Sequence, residues 1–315
     1  MPVTWVTGAR GFIGRRLARH LHGRGLMVCG IGHGHLPVEL LSQAGLAAWS
    51  NSEITAEALG RLAGDHGTPD LVFHLAGGSA VSASVHAPFE DFMRTTNTTA
   101  RLLEWLRSHS PRSKVMVASS AAVYGDTHGV PAEESRPAAP ISPYGYHKWM
   151  MEQLCREYSQ VFGLQTSVLR MFSIYGEGLR KQLLWDCSVK LMGDAELIEL
   201  GGTGEELRDW VHVDDAVAMI YRAGELASPD CPILNGGSGA GVSVRDIVAL
   251  LRTSLNRSTR VEFSGMARRG DPVVLVADAR RMISAGITCH VPLGAGVQRY
   301  ADWYKRARDD GPPVN

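Results

Sequence analysis

Two side chains near the middle of the chain have types and a spacing that could move a proton. Tyr144 and Lys148 stand four residues apart in Ser142-Pro143-Tyr144-Gly145-Tyr146-His147-Lys148. On a helix, residues so spaced share one face. A free phenol, with a pKa of about 10, is a poor base at neutral pH. A neighbouring ammonium stabilises the phenolate and lowers that value. The pair would then serve as the acid–base group in oxidising an alcohol or reducing a ketone. Ser142 can cap such a helix and Pro143 suits its first position. Tyr and Lys at this spacing are also ordinary on solvated helix faces, so the reading depends on the elements around them.

Those elements alternate. Val3–Thr7 reads as a buried strand, Phe12–His22 as a helix, and Leu26–Ile31 as a second strand. Leu71–Leu75 and Lys114–Ser119 are further short apolar strands, with a helix over Asn97–Arg107 between them. A proline-rich loop over Thr127–Pro143 leads into the Tyr144–Phe162 helix, and a strand follows at Thr166–Met171. Strands alternating with helices predict an α/β fold with a doubly wound parallel sheet of the Rossmann type. Such sheets bind nucleotides at the carboxyl ends of their strands. Beyond Phe172 the pattern is less regular, with helices expected at Val242–Leu255 and Gln298–Ala307.

The first strand and helix are joined by Thr7-Gly8-Ala9-Arg10-Gly11-Phe12-Ile13-Gly14. Glycines there permit a sharp turn and the close approach of a phosphate. The helix start offers free N–H groups and a positive dipole end to a pyrophosphate. The expected cofactor is therefore NAD(P). Enzymes that prefer NAD usually carry a carboxylate at the end of the second strand. Here Cys29-Gly30-Ile31-Gly32-His33-Gly34-His35 has none, and the sequence leans to NADP(H) over NAD(H). Arg10, Arg15 or His33 would contact the extra phosphate.

Composition excludes other classes. The 315 residues are 44% hydrophobic and 20% charged, as in a globular enzyme, and the formal net charge is zero. That balance gives no electrostatic case for nucleic acid or an anionic membrane. No apolar run approaches the ~18 residues of a membrane span, and the first residues lack the pattern of a signal peptide. The five cysteines are scattered, with no C-x-x-C pair. A reduced cytoplasmic protein without a metal site is the expectation.

Taken together, these motifs resemble the extended short-chain dehydrogenase/reductase family, in its nucleotide-sugar epimerase/dehydratase branch. The resemblance runs through Thr7–Gly14, His74-Leu75-Ala76, Asn97, Ser119–Gly125, Tyr144 with Lys148, and Arg170–Gly176. It continues through Arg208–Asp215 and Arg268–Pro272. It implies that Tyr144 is the acid–base group, that Lys148 holds the nicotinamide ribose and lowers the Tyr144 pKa, and that Ser120 hydrogen-bonds the reacting oxygen. Gly8, Arg10, Gly11, Phe12, Ile13, Gly14, His33, Leu75, Ala76, Asn97 and Lys148 would form the dinucleotide site. Ser120, Ser173, Arg180, Arg208, Arg268 and Asp271 would hold the substrate, the guanidinium groups favouring its diphosphate. From the residues alone, Ser120 could simply end a strand, Asn97 cap a helix, and Arg208-Asp209 form a surface ion pair.

The resemblance also narrows the reaction. Related 4,6-dehydratases carry an Asp-Glu pair after the active-site Thr, whereas this chain has Ala121 and Ala122. Alanine cannot transfer a proton, so 4,6-dehydration is not expected. Two reactions stay open: reduction of a 4-keto nucleotide sugar with Tyr144 as proton donor, placed first, and 4-epimerisation of a nucleotide sugar. A non-catalytic dinucleotide sensor is a third reading of another class, and the Ser120, Tyr144 and Lys148 set argues against it. The reductase reading rests on the Gly32-His33 strand end, on Ser173 in place of an asparagine, and on the divergent Gly178–Trp185 segment. The epimerase reading rests on the likeness of Ser119–Gly125 to the epimerase motif. The expected layout is a dinucleotide-binding domain over residues 1–170, rejoined near 210–235, and a substrate-binding domain mainly over 171–315. A homodimer is implied by resemblance, with Trp149, Met150, Leu154 and Tyr158 as candidate contacts.

Overall fold

The computed structural model describes residues 1–266 and 272–309. Seven parallel strands form the main sheet: β1 (Val3–Thr7), β2 (Met27–Gly32), β3 (Ala48–Asn51), β4 (Leu71–His74), β5 (Lys114–Ser120), β6 (Gln165–Met171) and, later in the chain, Ile233–Gly236. Reading across the sheet from its far edge, the order is Ile233–Gly236, β6, β5, β4, β1, β2, β3. The order reverses between β1 and β4, the place where a doubly wound sheet opens a crevice for ligands. The fold is the Rossmann-type α/β architecture expected from the alternating pattern.

Period-two alternation divides the side chains of the sheet between two cores. Trp5, Val72 and Val115 face a core with Leu102, Leu106 and Met151, from the helices Thr98–His109 and Pro143–Phe162. Val6, Phe73 and Met116 face the other side, against Leu17 and Leu21 of helix Phe12–Gly23 and Val217 and Ile220 of helix Val213–Glu225. Burial on both faces explains why these strands read as continuous apolar runs.

A third core joins Tyr175, Leu184, Ile198, Ile247, Leu251 and Tyr300. Its frame comprises the smaller strands β7 (Ser173–Tyr175), β8 (Leu197–Leu200) and β9 (Leu207–His212). Next come β10, the Ile233–Gly236 strand already placed in the main sheet, then β11 (Gly241–Ser243), β12 (Arg260–Phe263) and β13 (Val274–Leu275). β9 lies between β11 and β13 and also pairs β7, while β8 pairs β12.

Strand β3 was not expected from the sequence, and three helices differ in their bounds. The helix expected over Asn97–Arg107 runs Thr98–His109, after a π turn at Met93–Asn97. Such turns are rare and concentrate at functional positions. The helix expected at Val242 starts at Val244, because Ser243 caps it by accepting from Asp246 N–H at 3.0 Å. The last helix is longer than expected, running Leu293–Asp309. No helix among the described residues is long and apolar enough to cross a membrane.

Candidate active site

The tyrosine helix begins as its sequence requires. The Ser142 hydroxyl accepts from Gly145 N–H at 3.2 Å, and Pro143 occupies the first position. The Tyr144 N–H, left over by the helix, donates to Ser84 Oγ at 3.0 Å. Gly145 packs on the turn that follows β5: a Cβ there would lie 2.6 Å from the Ala122 carbonyl oxygen. This close approach sets Tyr144 beside Ser120. Ser120 ends β5 and caps the short turn Ala121–Tyr124, its hydroxyl accepting from Ala122 N–H at 3.2 Å. Ending a strand and facing the site are thus one placement.

Burial lifts the Tyr144 phenol above its ordinary 10; the Ser120 hydroxyl, hydrogen-bonded to it, pulls the other way, and the Asp91 carboxylate adds to the rise. This corrects the expectation that Lys148 lowers the phenol. The Lys148 ammonium lies 5.8 Å from the centre of the Tyr144 ring and donates to the Ala118 carbonyl at 2.8 Å. Lys148 is buried, and desolvation pushes its pKa down to about 8, against the pull of Asp91 and Glu152. Desolvation is the largest influence on both groups.

The pair opens on a cleft of about 2160 Å³ at the carboxyl ends of the strands. Gly8, Gly11, Phe12, Ile13, Gly14, His33, Leu75, Ala76, Asn97, Ser120, Tyr144, Lys148, Ser173 and Arg208 all line it. The glycine turn fits a dinucleotide. Gly8 has φ +70°, and a Cβ on it would meet Ala76 N at 3.1 Å. A Cβ on Gly14 would collide with the Gly8 carbonyl, so only glycine lets the helix start this close to the strand. No side chain caps the helix that begins at Phe12, and its first-turn N–H groups are available to phosphate.

Three expected residues, Arg10, Arg15 and Arg180, lie off the cleft lining. Arg10 packs over Gly34, where a Cβ would collide with its guanidinium, and it is not among the residues lining the cleft. Arg180 also lies off the cleft lining: its guanidinium stacks 5.5 Å from Trp185 and 5.4 Å from Trp303, which draw it into the third core. Its neighbour Lys181 lines the cleft instead, donating to Ser79 Oγ at 2.7 Å. Arg208 bonds the carbonyl of Leu207 at 2.9 Å, and Asp209 is buried, accepting from Ser238, Gly239 and Ala277 N–H. Asp209 therefore does not form the surface pair considered from sequence. Arg268 and Asp271 lie outside the described residues.

Two residues escaped the sequence reading. Glu53 follows β3 and lines the cleft beside Ser52, whose N–H donates to the Gly32 carbonyl at 2.8 Å. A carboxylate thus lines the cleft one residue after the chain bonds to the end of β2. Behind the site, Glu152 is fully buried. It accepts from the Ser119 hydroxyl at 2.5 Å and holds Arg170 with two bonds, at 2.9 and 2.7 Å. Glu152 stands four residues after Lys148, a spacing that could have marked it as part of the same helix face.

Comparison with known proteins agrees with this geometry. Residues 4–233 match the NAD dependent epimerase/dehydratase family. A UDP-glucose 4-epimerase of Azospirillum brasilense is 30% identical over 305 residues, covering 89% of this chain and 85% of that one. The crystal structure of a UDP-glucose 4-epimerase from Thermotoga maritima with UDP-glucose superposes with a TM-score of 0.87 at 26% identity, covering 97% of this chain and 99% of that one. MoeE5, solved in complex with UDP-glucuronic acid and NAD, gives a TM-score of 0.84 at 28% identity over 96% of this chain and 99% of that one. The chain belongs to the NAD dependent epimerase/dehydratase family.

Proposed function

We propose that this chain is an NAD-dependent 4-epimerase of a UDP-linked hexose or hexuronic acid. The observation that carries the reading is the meeting of Ser120 and Tyr144 in one cleft with the glycine turn, with Ala121 and Ala122 rather than an acid pair following Ser120. That set can move one proton to and from a sugar hydroxyl, and alanine at those two positions cannot serve in eliminating water. The similar proteins named above are UDP-glucose 4-epimerases or bind UDP-sugar with NAD, which favours epimerisation over the reductase reading placed first from sequence.

When bound, the dinucleotide supplies the hydride acceptor and donor and the positive charge of its oxidised ring. The glycine turn and the start of helix Phe12–Gly23 hold its pyrophosphate, and Lys148 its ribose. With the positive charge of the oxidised ring offsetting the burial that keeps the phenol neutral, Tyr144 as phenolate would take the proton of the 4-hydroxyl and return it, while Ser120 donates to the same oxygen. Arg208 holds the substrate's diphosphate, and Lys181 and Ser173 line the sugar end.

The lean to NADP(H) rested on the end of β2 alone. Glu53, which lines the cleft one residue after the Ser52 that bonds Gly32, would oppose a 2′-phosphate and suit the two hydroxyls of an NAD ribose, so NAD is the proposed cofactor. The reading includes a homodimer through the exposed Trp149 and Met150; Leu154 and Tyr158 pack against the core instead. Light scattering tests that part.

The function is tested by incubating the protein with UDP-glucose or UDP-glucuronic acid and no added cofactor, followed by proton NMR. Interconversion with the 4-epimer is expected. Consumption of NADPH by a 4-keto-6-deoxy nucleotide sugar, without any epimerisation, would restore the reductase reading.

A further inference from the structure

Beneath the floor of the cleft lies a buried acid to which the proposed chemistry gives no role. Asp91, in the short helix Pro88–Phe92, is 6% exposed. Its Oδ2 accepts from His147 Nδ1 at 2.6 Å. His147 precedes Lys148 on the tyrosine helix, its side chain 12% exposed and its ring edge-on to Phe92. The other carboxylate oxygen, Oδ1, packs on Gly78, where a Cβ would collide with it. Gly78 lines the cleft, and its N–H donates to Thr95 Oγ1 in the π turn at 2.8 Å. A Cβ on the adjacent Gly77 would lie 3.4 Å from Lys148 Nζ. Asp91 is thus separated from the ammonium by the Gly77-Gly78 floor.

We propose that Asp91 is a positioning residue for the Tyr144–Lys148 pair: clamped by His147 and Gly78, its carboxylate fixes the start of the tyrosine helix on the cleft floor and supplies the negative charge that keeps the buried Lys148 ammonium protonated. The inference rests on the reading of that pair as the reacting groups.

An ammonium taken out of water loses its proton unless an opposite charge compensates. The ionisable groups set around Lys148 are Tyr144 and Glu152 on its own helix, Asp91 with His147, and His74 on β4. Tyr144 is held in its neutral form. His74 is pushed down to about 3 by burial and by Lys148 itself, and offers no negative charge. Glu152 is matched by the Arg170 guanidinium in a closed pair. Asp91 faces an imidazole rather than a guanidinium, and it holds Lys148 up more strongly than Glu152 does. The same carboxylate holds the Tyr144 phenol up. Removing its charge therefore lets both groups lose their protons at lower pH.

Competitive acetylation across a pH series, read at Lys148 by mass spectrometry, measures that ionisation without relying on turnover. Asp91→Asn is expected to move the Lys148 midpoint to lower pH by on the order of one unit, the size of effect an opposite charge at close range has. Both limbs of the pH profile for epimerisation should move the same way. Asp91→Ser is the second variant should Asn not fold, with the same shift expected. A midpoint that stays at the wild-type value in either folded variant overturns the proposal, whatever happens to turnover. A shifted midpoint in a protein that fails to epimerise any UDP-sugar would uphold the role of Asp91 and reject the proposed function.

Discussion

The Lys148 ammonium donates to the carbonyl of Ala118 at 2.8 Å, tying the tyrosine helix to the strand that ends in Ser120. The contact fixes the ammonium where burial brings its pKa down to about 8. If the charged form is needed, turnover should fall as pH rises through about 8 rather than near the ordinary lysine value. A pH series of initial rates checks this. A profile flat to pH 10 would remove the Lys148 charge from the mechanism.

Tyr144→Phe removes the phenol while keeping its ring in the cleft wall. General acid–base groups contribute on the order of 10²–10⁴ in rate. Turnover should drop within that range, with dinucleotide retention unchanged, as read by fluorescence after gel filtration. Unaltered turnover would take Tyr144 out of the reaction.

Glu152 carries its charge at 0% exposure, with Ser119 and Arg170 on its two oxygens. Glu152→Gln leaves Arg170 buried without its counter-charge, and breaking such pairs costs about 3–5 kcal/mol. Urea unfolding should show a loss of that order. A change under ~1 kcal/mol, the scale of an exposed pair, would mean that the pair is not matched as the geometry describes.

His74 lies between Thr7 and Thr99, bonding their hydroxyls at 2.8 and 3.0 Å. Its folded pKa of about 3 lies below the unfolded 6.5, so the unfolded chain binds the extra proton first. Its contribution to stability is complete above 6.5 and is lost as pH falls from there toward about 3, by about 1.4 kcal/mol per unit. Melting temperatures of wild type and His74→Asn between pH 7 and 5 test the sign. The variant should depend less steeply on pH, and equal slopes would contradict it.

Much of the scaffold was legible because a parallel sheet buried on both faces must be written in apolar runs: Val3–Thr7 and Lys114–Ser120 have no other use. The glycine turn and the Ser142-Pro143 start were legible for a related reason, since both are local backbone requirements. β3 was missed because Ala48-Trp49-Ser50-Asn51 is short and polar at its end, and with it Glu53, which reverses the argument for the cofactor. Arg180 was misplaced because a guanidinium suits phosphate and a tryptophan face equally well, and Arg10 because it packs over Gly34 instead; only the fold decides either. The direction of the Tyr144 shift was misread because spacing shows a neighbour but not the desolvation that dominates the buried phenol.

The most direct measurement of the central claim is the fate of carbon 4 in a UDP-sugar given to the purified protein with no added cofactor. Proton NMR of UDP-glucose or UDP-glucuronic acid should show the 4-epimer growing to a fixed ratio, reached from either side and abolished by Tyr144→Phe. No epimer from either sugar, alongside stoichiometric oxidation of NADPH by a 4-keto nucleotide sugar, would contradict it.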